Sequence, residues 1–180
     1  MLDNGAFSAK TQGNEFNLNG FYDWIDPILA HPHWGVVPDV IDGSVEQQRE
    51  MTKTWPFRKE FGIPVWHLGL PISYLIELCD AWGRVCFGSS GEFWQIGTPK
   101  WNARMDEAFN VLVKTYGRQI PWVHGMRMLG QSAGPWPLAS ADSTNVALHH
   151  AEGIVCAGCM AKRIDSTNPP TKWNIQPLQE

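Results

Sequence analysis

The sequence predicts an α/β protein, a TIM-type (β/α) barrel that is small or incomplete and built on parallel strands. Three observations predict it. Short apolar runs alternate with helical stretches along most of the chain, the pattern of βα units around a parallel sheet. Polar residues gather just after each apolar run, where barrels and open α/β sheets both carry their sites. Five runs read as strands and a sixth is possible at the N-terminus, whereas a full eight-stranded barrel takes roughly 200 residues or more and this chain has 180. One barrel-like domain is expected over 1–165. An irregular tail with Pro169, Pro170 and Pro177 is expected over 166–180.

The elements follow in order. Trp34-Gly35-Val36-Val37-Pro38-Asp39 is an apolar run ending in a carboxylate. Ser44 and Gln47 stand in capping-box spacing and open a helix expected to reach about Phe61. Ile63 to Leu68 is the next run, followed by a helix over Ile72 to Ala81. Arg84-Val85-Cys86-Phe87-Gly88 is a strand ending in the polar turn Ser89-Ser90-Gly91. Thr98 and Pro99 read as an N-cap and a first-turn proline, opening a helix to Tyr116 that Gly117 stops. Its Ala108, Val111, Leu112 and Tyr116 recur at the spacing of one buried face. Ile120 to Gly125 and Leu138 to Asp142 are the last two runs.

Composition bounds the function. A hydrophobic share of 43% supports a real core and argues against disorder. No apolar run approaches the roughly 18 residues of a membrane span, and no membrane partner is expected. Met1-Leu2-Asp3-Asn4 has no basic or apolar leader character, so a cytoplasmic protein is expected. A net charge of −4 excludes a histone-like binder held by bulk charge. Local positive charge is available from Arg104, Arg118, Arg127, Lys162 and Arg163, and Arg127 is the best-placed phosphate contact. The ten Trp divide: Trp34, Trp66 and Trp122 read as structural, while Trp94, Trp101, Trp136 and Trp173 are either core or stacking platforms.

Three carboxylates sit where chemistry would. Asp3 lies in the polar turn Asp3-Asn4-Gly5-Ala6-Phe7-Ser8, Asp39 ends the first long run, and Asp142 ends the last. A parallel sheet brings such strand ends onto one rim. Glycosyl transfer needs a carboxylate pair there, a nucleophile and a general acid/base. An Asp at a strand end also serves as the N-cap of the next helix, and spacing alone leaves both roles open. No Gly-x-Ser-x-Gly elbow supports a serine hydrolase.

This ordered set resembles the tRNA-guanine transglycosylase superfamily, and in particular its short phage and bacterial queuine tRNA-ribosyltransferase-like or DNA-base-modifying relatives. Asp3-Asn4-Gly5-Ala6-Phe7-Ser8 resembles the family's opening Asp-Ser-Gly-Gly-Phe-Gln, which implies Asp3 as general acid/base and Phe7 as a ring stacked on the base. Asp39 matches a second Asp that binds the base edge. His67-Leu68-Gly69 stands where the family has a base-reading Gln-Gly, a departure. Gly88-Ser89-Ser90-Gly91 resembles a Gly-Gly-Leu turn whose backbone touches the base. His124-Gly125-Met126 resembles a strand ending in Met-Gly, with His124 in the stacking place. Asp142 matches the nucleophile.

The resemblance covers about residues 1–150 and implies an enzyme that exchanges or removes a purine-like or modified base through a covalent glycosyl intermediate. A glycosylase that excises a modified DNA base with water, and a non-catalytic base- or nucleotide-binding barrel, are the alternatives. The implied partners are a nucleic acid, tRNA or DNA, and a free base. A homodimer is also expected, because an incomplete barrel leaves strand edges unpaired. No cofactor is expected. The family's cysteine-rich zinc cluster is missing, and Cys156-Ala157-Gly158-Cys159, with His149 and His150 just upstream, is a lone C-x-x-C whose chemistry suits either zinc ligands or a redox pair. Only Met1 and Leu2 precede Asp3, so the strand delivering it is expected to be nearly absent, or supplied by another chain or an earlier start.

Overall fold

The computed structural model describes residues 1–143. The C-x-x-C, His149, His150, Lys162, Arg163, Trp173 and the tail over 166–180 lie outside the described residues. Within them the chain is a mixed α/β fold whose strands are all parallel: β1 (Gly35–Val36), β2 (Gly62–Ile63), β3 (Val65–His67), β4 (Arg84–Gly88), β5 (Trp122–Gly125) and β6 (Ser140–Ala141). β1 and β2 form one sheet, and β3-β4-β5-β6 form the other, each strand beside its sequence neighbour. Pro64 divides β2 from β3 because it brings no N–H to the ladder. Its carbonyl still accepts from Cys86 N at 2.8 Å, and Val37 N donates to Ile63 O at 2.9 Å, so both neighbours stay in register across the break. No strand pairing among the described residues closes the sheets into a ring.

The strand ahead of Asp3 is one residue long. Leu2 pairs in parallel with Gly35, its N–H donating to Trp34 O at 2.9 Å and its carbonyl accepting from Val36 N at 2.8 Å. Those two bonds are enough to bring Asp3 to the rim. Helices α1 (Ala6–Thr11) and α2 (Leu18–Ile25) follow, neither foreseen. Asn17 caps α2 by accepting from Gly20 N at 2.9 Å, and Phe21 and Ile25 are its buried face.

The remaining helices follow their caps. α3 (Val45–Lys53) has both halves of the Ser44/Gln47 capping box but ends eight residues short of Phe61. Pro56 cannot continue it and disfavours helical geometry at Trp55; a single 3-10 turn over Lys59–Phe61 follows. α4 (Ile72–Trp82) ends at Gly83, whose φ of 68° is the left-handed cap that glycine adopts without strain. α5 (Pro99–Tyr116) begins and ends as expected, with Thr98 accepting from Trp101 N. Its buried face is Trp101, Met105, Ala108, Phe109 and Leu112, so Val111 lies at the margin rather than the centre.

Two cores result from strand alternation. Val85 and Phe87 of β4 face α4 and α5 and pack with Trp66, Leu75, Met105, Leu112 and Val123. Cys86, between them, turns to the other face and packs with Val36, Ile63 and Val65, against Trp34 and Met126. Trp101 and Trp136 are core, not platforms: they meet edge to face at 5.2 Å, and their indole N–H groups donate to Ser89 Oγ and Asp106 Oδ1, both at 2.9 Å. Trp94 is 62% exposed. Cys79 and Cys86 are buried free thiols, and burial pushes Cys79 up to about 12. Among the described residues no helix is long and apolar enough to cross a membrane.

Candidate active site

The C-terminal ends of the strands open onto one cavity of about 110 Å³. Asp3, Phe7, Asp39, His67, Gly88, Ser89, Arg127 and Asp142 all line it, together with Asn4, Ile41, Ser90 and Met126. Eight of the nine residues singled out from sequence thus meet at one place, although they span 140 positions of chain. The ninth, His124, does not line the cavity; it lies beneath Asp142, 4% exposed.

One wall is a buried hydrogen-bonded chain. Asp39 Oδ2 accepts from His67 Nε2 at 2.7 Å, and Asp39 Oδ1 accepts from Asn4 Nδ2 at 3.0 Å. His67 Nδ1 meets Ser90 Oγ at 3.2 Å. The Asp39 and His67 side chains are 7% and 6% exposed. Asn4 also accepts from Ala6 N at 2.9 Å, which fixes the start of α1. Asp39, expected to read a base edge, therefore already carries one hydrogen bond on each oxygen, and only its remaining lone pairs face the cavity. Gly88 is required here, because a Cβ at that position would stand 2.9 Å from His67 Nδ1.

Asp142 also lines the cavity. Its Oδ1 accepts the backbone N–H of Arg127, and its Oδ2 stands 3.5 Å from His124 Nε2. Arg127 has a φ of 60°, a left-handed geometry that a non-glycine residue holds only when its surroundings impose it. Here the Asp142 bond and a second one, from the guanidinium to Ser89 O, impose it. The same guanidinium lies 4.9 Å from the Phe7 ring centroid, so the expected phosphate contact is turned inward onto an aromatic face. Phe7 is 44% exposed and is placed by α1, which Lys10 straps to the β1–α3 loop through Asp42 at 2.7 Å and Ile41 O at 2.8 Å.

The two outer carboxylates are driven in opposite directions. Asp3 opens to solvent at the mouth, yet the protein around it removes water and raises its pKa, and the charges of Asp142 and Asp39 add to this. Amide hydrogen bonds from Gly5 and Asn4 offset only part. For Asp142, loss of water pushes upward too, but His124 and the Arg127 amide and charge outweigh it and hold the carboxyl below its usual range. Two carboxyl groups on one cavity with acidities pushed apart are the arrangement that divides acid from nucleophile. Among the described residues no three His, Cys, Asp or Glu side chains converge as a metal site requires.

Ile41 lay outside every quoted motif, Met126 lay inside one without being singled out, and His124, expected at the cavity, is not among its lining residues. Gly125 ends β5, the chain turns with Met126 N donating to Phe87 O at 3.1 Å, and Met126 rises to the cavity rim. Asn4 and Ser90 lay inside the quoted motifs and were legible as polar strand-end residues. Ser89 lines the cavity with its hydroxyl oxygen accepting from the Trp101 indole and its carbonyl accepting from the Arg127 guanidinium. No protein-family model, curated protein or solved structure matches the chain.

Proposed function

We propose that the protein is a nucleic-acid glycosyl-transfer enzyme that exchanges or removes a purine-like or modified base. The observation that carries this reading is the pair Asp3 and Asp142, on one cavity with acidities pushed apart. Phe7 and Met126 on the same cavity supply apolar surface for a flat ring. The fold reading that goes with it is an incomplete (β/α) barrel. Its support is the sequential parallel strand order, the hydrogen bonds that bridge the Pro64 break, and the edge-to-face Trp34–Trp122 contact at 5.0 Å, between the residue before β1 and the first residue of β5.

The mechanism follows from two carboxyl groups on one cavity. The target base leaves its stack and enters the cavity, where a carboxylate can reach its sugar. Asp142, anionic, attacks the anomeric carbon; the Asp142–sugar bond forms as the sugar–base bond breaks. Asp3 is the acid of this step and gives a proton to the departing base nitrogen. In the second half Asp3, now a carboxylate, takes a proton from an incoming base or a water. That nucleophile attacks the anomeric carbon and Asp142 leaves as a carboxylate. An incoming base gives exchange and a water gives excision. The Asp39–His67–Ser90 wall holds the base edge and the Gly88-Ser89 backbone its rim. A nucleic-acid substrate fits a cytoplasmic protein.

Base release from tRNA and from modified or unmodified duplex and single-stranded DNA tests the reading. Wild-type protein releases or exchanges a base from one of them, Asp142→Asn from none, and Asp3→Asn far more slowly. A folded wild-type protein that binds a free base yet releases none from any nucleic acid favours the non-catalytic barrel.

A further inference from the structure

His124 is the cavity's unexplained neighbour. It is buried on β5, and its Nε2 has no hydrogen-bond partner within normal reach, which is rare for a buried ring nitrogen. That nitrogen faces Asp142 Oδ2 at 3.5 Å. The rest of the ring is fixed. Nδ1 meets Ser140 Oγ at 2.6 Å, Trp122 stacks on it at 6.3 Å and 23°, and Trp34 stands edge-on at 5.8 Å. An imidazole held on three sides, with its one unspent nitrogen pointed at a carboxylate, acts on that carboxylate.

We infer that His124 is a positioning residue that favours the free carboxylate of Asp142 over its glycosyl ester, and so speeds the second half of the reaction. The inference rests on the glycosyl-transfer reading. A hydrogen-bond donor beside Asp142 stabilises the negative charge present before attack and after release. It stabilises the ester less, because the ester oxygens carry little charge. The covalent intermediate is thereby kept high in free energy and turns over. When the incoming nucleophile bonds to the anomeric carbon, the electron pair of the sugar–Asp142 bond returns to the oxygen that faces His124. The other groups that face Asp142 are the Arg127 amide and charge from the turn after β5, Asp3 from the N-terminal strand, and Cys86 from β4. Of these only the Arg127 amide and charge also favour the anion.

Two readouts on His124→Phe, His124→Gln and Ser140→Ala test this. The first is the Asp142 carboxyl titration by ¹³C NMR, which needs no substrate. Its midpoint rises in His124→Phe, rises less in His124→Gln, which keeps a donor near the Nε2 position, and rises slightly in the conservative Ser140→Ala. The second is the amount of denaturant-resistant nucleic-acid adduct. It is several-fold greater in His124→Phe than in wild type, and His124→Gln restores the wild-type amount. An unmoved midpoint in folded His124→Phe overturns the inference whatever the activity. A raised midpoint with no more adduct than wild type overturns the assignment to the second half. If no protein gives adduct or released base while the midpoint still moves, the glycosyl-transfer reading fails and the step assignment with it, a result the titration tells apart from loss of the His124–Asp142 contact.

Discussion

Replacing Asp39 with Ala removes the shared acceptor of two buried donors. In the wild type its oxygens take Asn4 Nδ2 at 3.0 Å and His67 Nε2 at 2.7 Å, and neither the Asp39 nor the His67 side chain is more than 7% exposed. Hydrogen bonds to a charged group contribute about 1.5–3 kcal/mol each, and removing one member of a buried pair costs about 3–5 kcal/mol because the partners stay buried and unpaired. Asp39→Ala is therefore expected to lose about 3–5 kcal/mol in urea unfolding, or on the order of 10 °C in Tm for a domain of this size. His67→Ala combined with Asp39→Ala should lose less than the sum of the singles, with a coupling of about 1–3 kcal/mol. A loss below about 1 kcal/mol for Asp39→Ala, or additivity in the double variant, would refute the claim that this wall is a single connected network.

Other outcomes follow from the same geometry. Gly88→Ala drives a methyl against His67 Nδ1 and Val65 Cγ1, at 2.9 and 3.1 Å, and should lower stability by about 1–3 kcal/mol in the same urea assay while weakening binding of free base. Asp3 and Asp142 should give pH dependences of opposite sign. Asp3 binds its proton more tightly folded than unfolded, so its ionisation weakens the fold as pH rises through its raised folded value. Asp3→Asn should match wild type in acid and exceed it in stability at neutral pH. Asp142 is the reverse: its anion supports the fold above the unfolded value, and that support is lost as pH falls through its lowered folded value. Asp142→Asn should be weaker than wild type at neutral pH and converge with it in acid. Urea midpoints from pH 3 to 8 check both signs.

The fold was legible where sequence signals were local. A capping box, or an N-cap followed by a first-turn proline, acts within one turn, and so the starts of α3 and α5 were read to the residue. α3 stops at Lys53 rather than near Phe61 because Pro56 ends it, a breaker that lay in plain view in the sequence. Ile63 to Leu68 read as one strand, and Pro64 splits it without moving its neighbours, a distinction that hydrogen bonds reveal and hydropathy does not. α2 carried a readable signal, Asn17 followed by Leu18, Phe21 and Ile25 at helical spacing. Eight of the nine expected residues meet at the cavity because parallel topology gathers strand ends on one rim. What the sequence could not carry was side-chain direction. His124 drops below the rim and Met126 rises to it because the chain turns after Gly125, and Arg127 is drawn inward by Asp142 and Ser89.

The central claim is that Asp142 becomes covalently attached to a sugar. Incubating the protein with the nucleic acid that releases base, quenching in denaturant, digesting with nuclease and protease, and sequencing the modified peptide by mass spectrometry tests it most directly. A pentose-derived mass is expected on the peptide carrying Asp142, absent from Asp142→Asn and present in Asp3→Asn only after long incubation. Base release that proceeds undiminished in Asp142→Asn, or a pentose found on any other residue, would contradict it.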